Sequence, residues 1–314
     1  MNDISIYNID DRWIESLRGR KNKVDQNFPY AWLVEKELTA SGTLEDVGII
    51  FLTNRECPFR CLMCDLWKNT IDETAAPGSI TRQIEWALGN MPAVKHIKLY
   101  NSGSFFDERA IPLKEYESIA FILRDFDNVI VESHPRFLDE KCISFKKLLK
   151  PSLEVAIGLE TVHPELLRKL NKKMKPDDFS RAVRFLASNG IFSRAFVLLR
   201  PPFLTEEEGV EWAGRSIEFA FNAGVGCCTV IPVRAGNGAM DKLKSDGLFT
   251  PPVLQSLEKV VEYGIGLNAG RVFADLWDLQ LFTDCPECLE KRRARLEKMN
   301  FTQIIQEPVD CTCG

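Results

Sequence analysis

Val47-Gly48-Ile49-Ile50-Phe51-Leu52-Thr53-Asn54-Arg55-Glu56-Cys57-Pro58-Phe59-Arg60-Cys61-Leu62-Met63-Cys64 is the stretch from which the rest of the chain is read. Residues 47–52 form an apolar run with the length and composition of a buried strand. Three cysteines then stand at CxxxCxxC spacing on the loop that leaves it: Cys57, Cys61 and Cys64. Three thiolates from one short loop can hold three irons of a cubane 4Fe–4S cluster and leave the fourth without a protein ligand. An open metal position suits a reactive centre, whereas a structural zinc is closed by four ligands. The rival readings are a zinc knuckle and three packing cysteines. The next candidate ligands, His96 and Cys142, are too distant in sequence to complete a knuckle. Packing cysteines rarely fall three in eight residues on a polar loop containing proline.

Outward from this stretch the chain alternates strand and helix. Apolar runs at 47–52, 94–100, 128–133, 153–159, 192–199 and 226–233 read as six strands. Helical patterns lie between them, the clearest starting at Pro164, at Pro176 and at the capping box Thr205-Glu206-Glu207-Glu208. Such alternation implies a parallel sheet, and six units curl into an open version of an eightfold barrel. The expected fold is therefore α/β, a partial (β/α)6 TIM-like barrel over 47–234. Residues 1–46 are expected to be an irregular N-terminal extension, and 235–314 a small C-terminal extension with a Cys-rich, metal-binding tail. Active-site groups collect at the carboxyl ends of such strands, the rim that the cysteine loop occupies.

Other polar segments fall on the same rim. Asn101-Ser102-Gly103-Ser104 follows the second strand, and Glu132-Ser133-His134 ends the third. The fourth ends in Gly158-Leu159-Glu160, with Leu170-Asn171-Lys172 after the next short helix, and the fifth ends in Arg200. A glycine-containing turn lets backbone approach a ligand closely. Glu132 is placed to bind ribose hydroxyls or an ammonium group, or to pair with a neighbour. His134 reads as a general acid or a positioning residue. Glu160 and Lys172 can face a ligand or pair with each other. Arg200 is a fixed cation for a carboxylate or phosphate.

The cysteine loop and these rim segments together resemble the radical SAM superfamily. The resemblance implies that Cys57, Cys61 and Cys64 hold the 4Fe–4S cluster and that S-adenosylmethionine chelates the fourth iron. The reduced cluster then cleaves the sulfonium to a 5′-deoxyadenosyl radical, which abstracts a substrate hydrogen. It implies that Asn101, Ser102, Gly103 and Ser104 bind the methionine end of the cofactor, in a turn lacking the family's usual double glycine and acidic residue. Glu132, Glu160, Lys172 and Arg200 are the further cofactor-binding candidates, with Met63 near adenine. An electron donor, a reductase, flavodoxin or ferredoxin, is implied as well. Leu52-Thr53, Lys98-Leu99-Tyr100-Asn101-Ser102-Gly103-Ser104-Phe105 and Pro201-Pro202-Phe203 add a narrower likeness. It points to the archaeosine-synthase radical SAM subunit and to relatives of the elongator catalytic subunit, which implies tRNA nucleoside modification.

The tail carries Cys285-Pro286-Glu287-Cys288 and Cys311-Thr312-Cys313, two cysteine pairs suited to a structural tetrahedral zinc, with a second Fe–S cluster as the rival. Between them, Lys291-Arg292-Arg293-Ala294-Arg295 reads either as a contact for RNA phosphates or as a solvated helix face. One of Cys227 and Cys228 is expected to face the barrel interior. Grouped cysteines in metal-like spacings, rather than a disulfide framework, suit a reducing compartment. Met1-Asn2-Asp3-Ile4 is not a secretory leader and no run of eighteen apolar residues exists, so a cytoplasmic protein without a membrane partner is expected. Net charge of −5 weighs against a broadly basic nucleic-acid surface. The alternatives carried forward are a radical SAM enzyme of lyase or transferase type acting on a small metabolite, and a non-catalytic metal-binding scaffold.

Overall fold

The alternation read from the sequence builds a single sheet. In the computed structural model, which describes residues 8–311, eight strands run in the order β1 to β8. They are β1 Ala31–Leu38, β2 Leu44–Phe51, β3 His96–Tyr100, β4 Asn128–Glu132, β5 Ser152–Glu160, β6 Phe192–Leu199, β7 Cys227–Pro232 and β8 Arg271–Ala274. From β2 to β8 every neighbouring pair is parallel. Consecutive order with right-handed crossovers puts the connecting helices on one face, so the sheet curls into a partial barrel.

The helices among the described residues are α1 Asp11–Ser16, α2 Ser79–Asn90, α3 Tyr116–Ile122, α4 Glu140–Leu148, α5 Pro164–Lys169, α6 Pro176–Ser188, α7 Glu206–Ala223, α8 Ala239–Ser245, α9 Leu254–Gly266 and α10 Pro286–Thr302. Local chemistry fixes their ends. Glu208 N–H donates to Thr205 Oγ1 (3.2 Å) and Thr205 N–H to Glu208 Oε2 (2.9 Å), closing the capping box that starts α7. Gly224, at φ 108°, ends the same helix in a conformation that favours glycine. Ile84, Val129, Val183 and Ile217 are among the fully buried residues of the core that these helices share with the sheet.

The segment read as irregular contains β1, which pairs antiparallel with β2 over its whole length. Its inner face carries Glu35 and Glu37, and these enter a buried ion network at the base of the barrel. Lys98 Nζ reaches Glu35 (2.6 Å) and Glu37 (2.5 Å), while Arg194 reaches Glu37 (2.9 Å) and Glu154 (2.8 Å). At the other end of the sheet, α10 satisfies the free edge of β8 with side-chain amides. Asn300 exchanges hydrogen bonds with Ala274 N–H (2.8 Å) and C=O (2.9 Å), and Gln303 with Val272 N–H (2.6 Å) and C=O (2.9 Å). An edge covered in this way is closed to further strand pairing.

Candidate active site at the barrel rim

The cysteine loop follows β2 and is tied from three sides. Leu62 N–H donates to Leu170 C=O (2.9 Å), and Asn171 Nδ2 donates to Arg60 C=O (2.7 Å) and to Asp11 (2.6 Å). Asn237 Nδ2 donates to Leu62 C=O (2.8 Å) and Cys64 C=O (3.1 Å), while its Oδ1 accepts from Met240 N–H (2.8 Å). Arg60 turns back on Cys57 C=O (2.6 Å) and pairs with Glu15 of α1. Asn237 went unnoticed in the sequence, where its Gly-Asn-Gly setting reads as a flexible turn. It is 4% exposed, and it fixes two carbonyls of the cysteine loop.

Burial pushes all three thiols, Cys57, Cys61 and Cys64, up to about 12, so each holds its proton until a metal displaces it. Gly103 stands against this wall: a Cβ there would lie 3.2 Å from Cys57 Cβ. Asn101, fully buried two residues earlier, leaves both Nδ2 and Oδ1 without a partner. Buried amides are nearly always satisfied, so an orphan on the turn that abuts Cys57 fits a site built for a polar ligand. The donor set and the orphaned amide thus fit a 4Fe–4S cluster with a polar cofactor beside it.

Each rim segment has a defined part. Glu132 accepts from Asn101 N–H (2.6 Å) and Gly103 N–H (3.4 Å), so its carboxylate shapes the 101–104 turn. Burial raises its pKa to about 7 against those backbone donors. Ser102, at φ 53°, bonds Tyr30 Oη (3.1 Å), and Ser104 Oγ accepts from His134 N–H (3.0 Å). The His134 ring stacks on Phe59 of the cysteine loop at 4.1 Å. Its Nδ1 accepts from Arg136 N–H (3.1 Å), which leaves Nε2 to donate to Lys172 C=O (2.9 Å). Burial lowers its pKa to about 3, so it stays neutral, as a positioning residue does.

Glu160 and Lys172 are both buried and pair at 2.6 Å. The pair occupies the space over Gly158, where a Cβ would meet Glu160 Oε1 at 2.3 Å and Lys172 Nζ at 2.5 Å. A β-bulge between Gly158 and Glu160, with Glu160 at φ 65°, aims the carboxylate there. Met63 is half-buried against an apolar group that includes Ile14, Leu166 and Leu170. Arg200 is engaged on the α7 side, by Glu206 (2.5 Å) and by Pro251 C=O (2.9 Å). Cys227 is the interior member of its doublet, in register with Arg194 and Arg271 at the strand starts, hence in the base layer rather than on the rim. Cys228 lies in the apolar core.

Above the base the interior is aromatic. Tyr30 and Tyr100 stand 5.6 Å and 6.1 Å from Phe51, with Phe196 beyond Tyr100 and the half-exposed Trp277 6.3 Å from Phe51. In the tail, the sulfurs of Cys285, Cys288 and Cys311 lie within 4.8 Å of one another. Cys313 and residues 1–4, on which two expectations fell, lie outside the described residues. The basic run corrects a reading. Arg292 and Arg295 are neither RNA contacts nor a solvated face. They are buried against Glu258, with Arg295 also on Glu262 (2.7 Å) and Glu307 C=O (2.6 Å). Among the described residues, no helix is long and apolar enough to cross a membrane.

No family model matches the chain. An uncharacterised protein of Methanocaldococcus jannaschii is 25% identical over 329 residues, 95% of this chain and 87% of that one. Archaeosine synthase subunit beta of Methanosarcina acetivorans is 27% identical over 215 residues, 64% of this chain and 60% of that one. The subunit of the same name from Thermococcus kodakarensis is 32% identical over 127 residues, 38% and 39% of the two chains. Among solved structures, archaeal Elp3 of Methanocaldococcus infernus lacking its N-terminus matches with a TM-score of 0.53 at 14% identity, covering 71% of this chain and 59% of that one. These likenesses support the radical SAM reading of the sequence. In sequence the chain is similar to archaeosine synthase subunit beta over part of its length, and in fold to Elp3. The chain covers three fifths or less of the two archaeosine synthase subunits.

Proposed function

We propose that Cys57, Cys61 and Cys64 bind a 4Fe–4S cluster and that the chain cleaves S-adenosylmethionine reductively, in the service of tRNA nucleoside modification of the archaeosine-synthase type. The observation that carries the reading is three thiols on one rim loop against which Gly103 of the 101–104 turn packs, a turn whose buried Asn101 amide has no partner. When bound, the cluster supplies the electron that breaks the sulfonium bond of S-adenosylmethionine. The protein's own share is placement and exclusion. Asn237 and Asn171 hold the cysteine loop by its carbonyls, and Glu132 holds the 101–104 turn by its N–H groups. Asn101 offers a donor and an acceptor to a polar ligand, and the Glu160–Lys172 pair presents one charge of each sign. The aromatic interior of Tyr30, Phe51, Tyr100 and Trp277 is a surface on which a planar base can stack.

For the tail we propose a zinc ion on Cys285, Cys288, Cys311 and Cys313, of which the last lies outside the described residues. Thiolates around one tetrahedral metal with bonds of about 2.3 Å lie about 3.8 Å apart, compatible with sulfurs all within 4.8 Å, whereas a cubane spreads them over separate corners. The reading is tested by anaerobic reconstitution with iron and sulfide, then reduction with S-adenosylmethionine and a tRNA pool. 5′-Deoxyadenosine together with a new modified nucleoside supports it. Cleavage with no tRNA change, in a preparation that binds no tRNA, moves the substrate to the small-molecule alternative.

A further inference from the structure

On α10, Arg292 and Arg295 are consumed internally, which leaves Lys291 and Arg293 of the basic run at the surface. We propose that the cleft between the turn Pro135–Phe137 and α6 seats the phosphate backbone of the RNA, a proposal that rests on the tRNA reading above. The cleft has a volume of about 430 Å³, and its lining includes His134, Arg136, Lys173, Met174, Asp178 and Arg181. All three of its cations, Arg136, Lys173 and Arg181, are exposed.

Position links the cleft to the site. His134 forms a wall common to both, lining the cleft while its ring lies on Phe59 of the cysteine loop. Lys172 and Lys173 divide in the same way. Lys172 turns inward to Glu160, and Lys173, at φ 58°, turns out into the cleft. A backbone lying here passes beside the rim, from which a flipped nucleoside can enter the barrel.

Charge supports the same occupant. Residues 136–184 hold twelve lysines and arginines against seven aspartates and glutamates, in a chain whose net charge is −5. The negative excess therefore lies outside this segment, to which the lining of the cleft largely belongs. Two carboxylates face the cleft cations: Asp178 pairs with Arg181, and Asp11 with Lys173 at 3.3 Å. Exposed pairs of this kind are weak and exchange readily for a phosphate. Among the described residues, no carboxylate pairs with the Arg136 guanidinium.

The test is tRNA binding by the full chain, titrated with salt, comparing wild type with the triple variant Arg136→Gln, Lys173→Gln, Arg181→Gln. Each phosphate contact contributes roughly 0.7–0.9 to the slope of log affinity against log salt, so the triple variant should lose about 2–3 from that slope. 5′-Deoxyadenosine formation without RNA should stay at the wild-type level. Arg136→Gln alone removes a cation without a carboxylate partner, leaves the fold undisturbed, and should lower the slope by about 1. Lys291→Gln with Arg293→Gln on α10 should leave it unchanged. Wild-type affinity and slope in the triple variant would overturn the cleft assignment while leaving the tRNA reading intact. If wild type cleaves S-adenosylmethionine but binds no tRNA, the tRNA reading itself fails. Competition by inorganic phosphate at matched ionic strength, as effective as unlabelled tRNA, would make the cleft a small-anion site and overturn the proposal.

Discussion

The two ends of the barrel interior are both polar, yet they treat polarity in opposite ways. At the base every charge has an opposite: Lys98 and Arg194 are shared among Glu35, Glu37 and Glu154. At the rim the fully buried Asn101 has no partner for either amide atom, and Thr53 Oγ1 and Asn54 Oδ1 near the cysteine loop are unpartnered too. A satisfied buried network rigidifies and specifies a fold, while unsatisfied groups in a folded protein call for a ligand. The contrast supports the proposal that the base is structural and the rim is the working end.

Substitutions that act on one end alone sharpen this contrast. The largest stability effect is expected at the base. Arg194→Met leaves Glu37 and Glu154 buried without their main cation, and removing one partner of a buried pair costs about 3–5 kcal/mol. Urea denaturation should show that loss, while the folded fraction retains its affinity for S-adenosylmethionine. A loss below about 1 kcal/mol would show that the network is not what holds the base together.

Next comes Asn237→Ala, which strips donors from Leu62 C=O and Cys64 C=O and an acceptor from Met240 N–H. About 1–3 kcal/mol of stability should go, and iron retention after reconstitution should fall with it. Full iron retention would mean that the loop holds its shape unaided. Asn101→Ala should behave in the opposite sense. Its amide has no partner to lose, so stability should change by less than about 1 kcal/mol while affinity for S-adenosylmethionine, read by equilibrium dialysis, falls about tenfold. The reverse result would erase the distinction between the two ends.

The smallest effect is one of pH. Burial opposes ionisation of Glu37, but Arg194 and Lys98 outweigh it and hold the carboxyl well below its ordinary 4.5. A depressed carboxylate contributes stability that is present above the unfolded pKa and lost as pH falls toward the folded one. Wild type should therefore lose stability below about pH 4.5 more steeply than Glu37→Gln, as followed by thermal unfolding between neutral and acid pH. Parallel curves would remove Glu37 from the account.

The same contrast explains what the sequence reveals. β2 to β7 are legible because their outer faces pack on helices and read as apolar runs. β1 escapes that reading because its barrel-facing residues Glu35 and Glu37 are carboxylates serving Lys98 and Arg194, so hydrophobic periodicity fails where the interior is charged. The signal that was present is the converse one, a lysine at Lys98 and an arginine at Arg194 inside otherwise apolar strands. The cysteine loop is legible from spacing alone. The tie from Asn237 is not, because it spans 175 residues and rests on backbone carbonyls, which no residue type advertises. Arg292 and Arg295 mislead for a related reason: a basic run looks exposed until Glu258 and Glu262 are brought against it.

The central claim is that the rim thiols hold a cluster that cleaves S-adenosylmethionine. The most direct measurement is 5′-deoxyadenosine release by the anaerobically reconstituted, reduced chain, set beside Cys61→Ala prepared in the same way. Release by wild type, with loss of both the iron–sulfur absorbance and the product in Cys61→Ala, is the predicted result. A wild-type chain that takes up no cluster and releases no 5′-deoxyadenosine, or a Cys61→Ala chain that matches it in activity, would contradict the account.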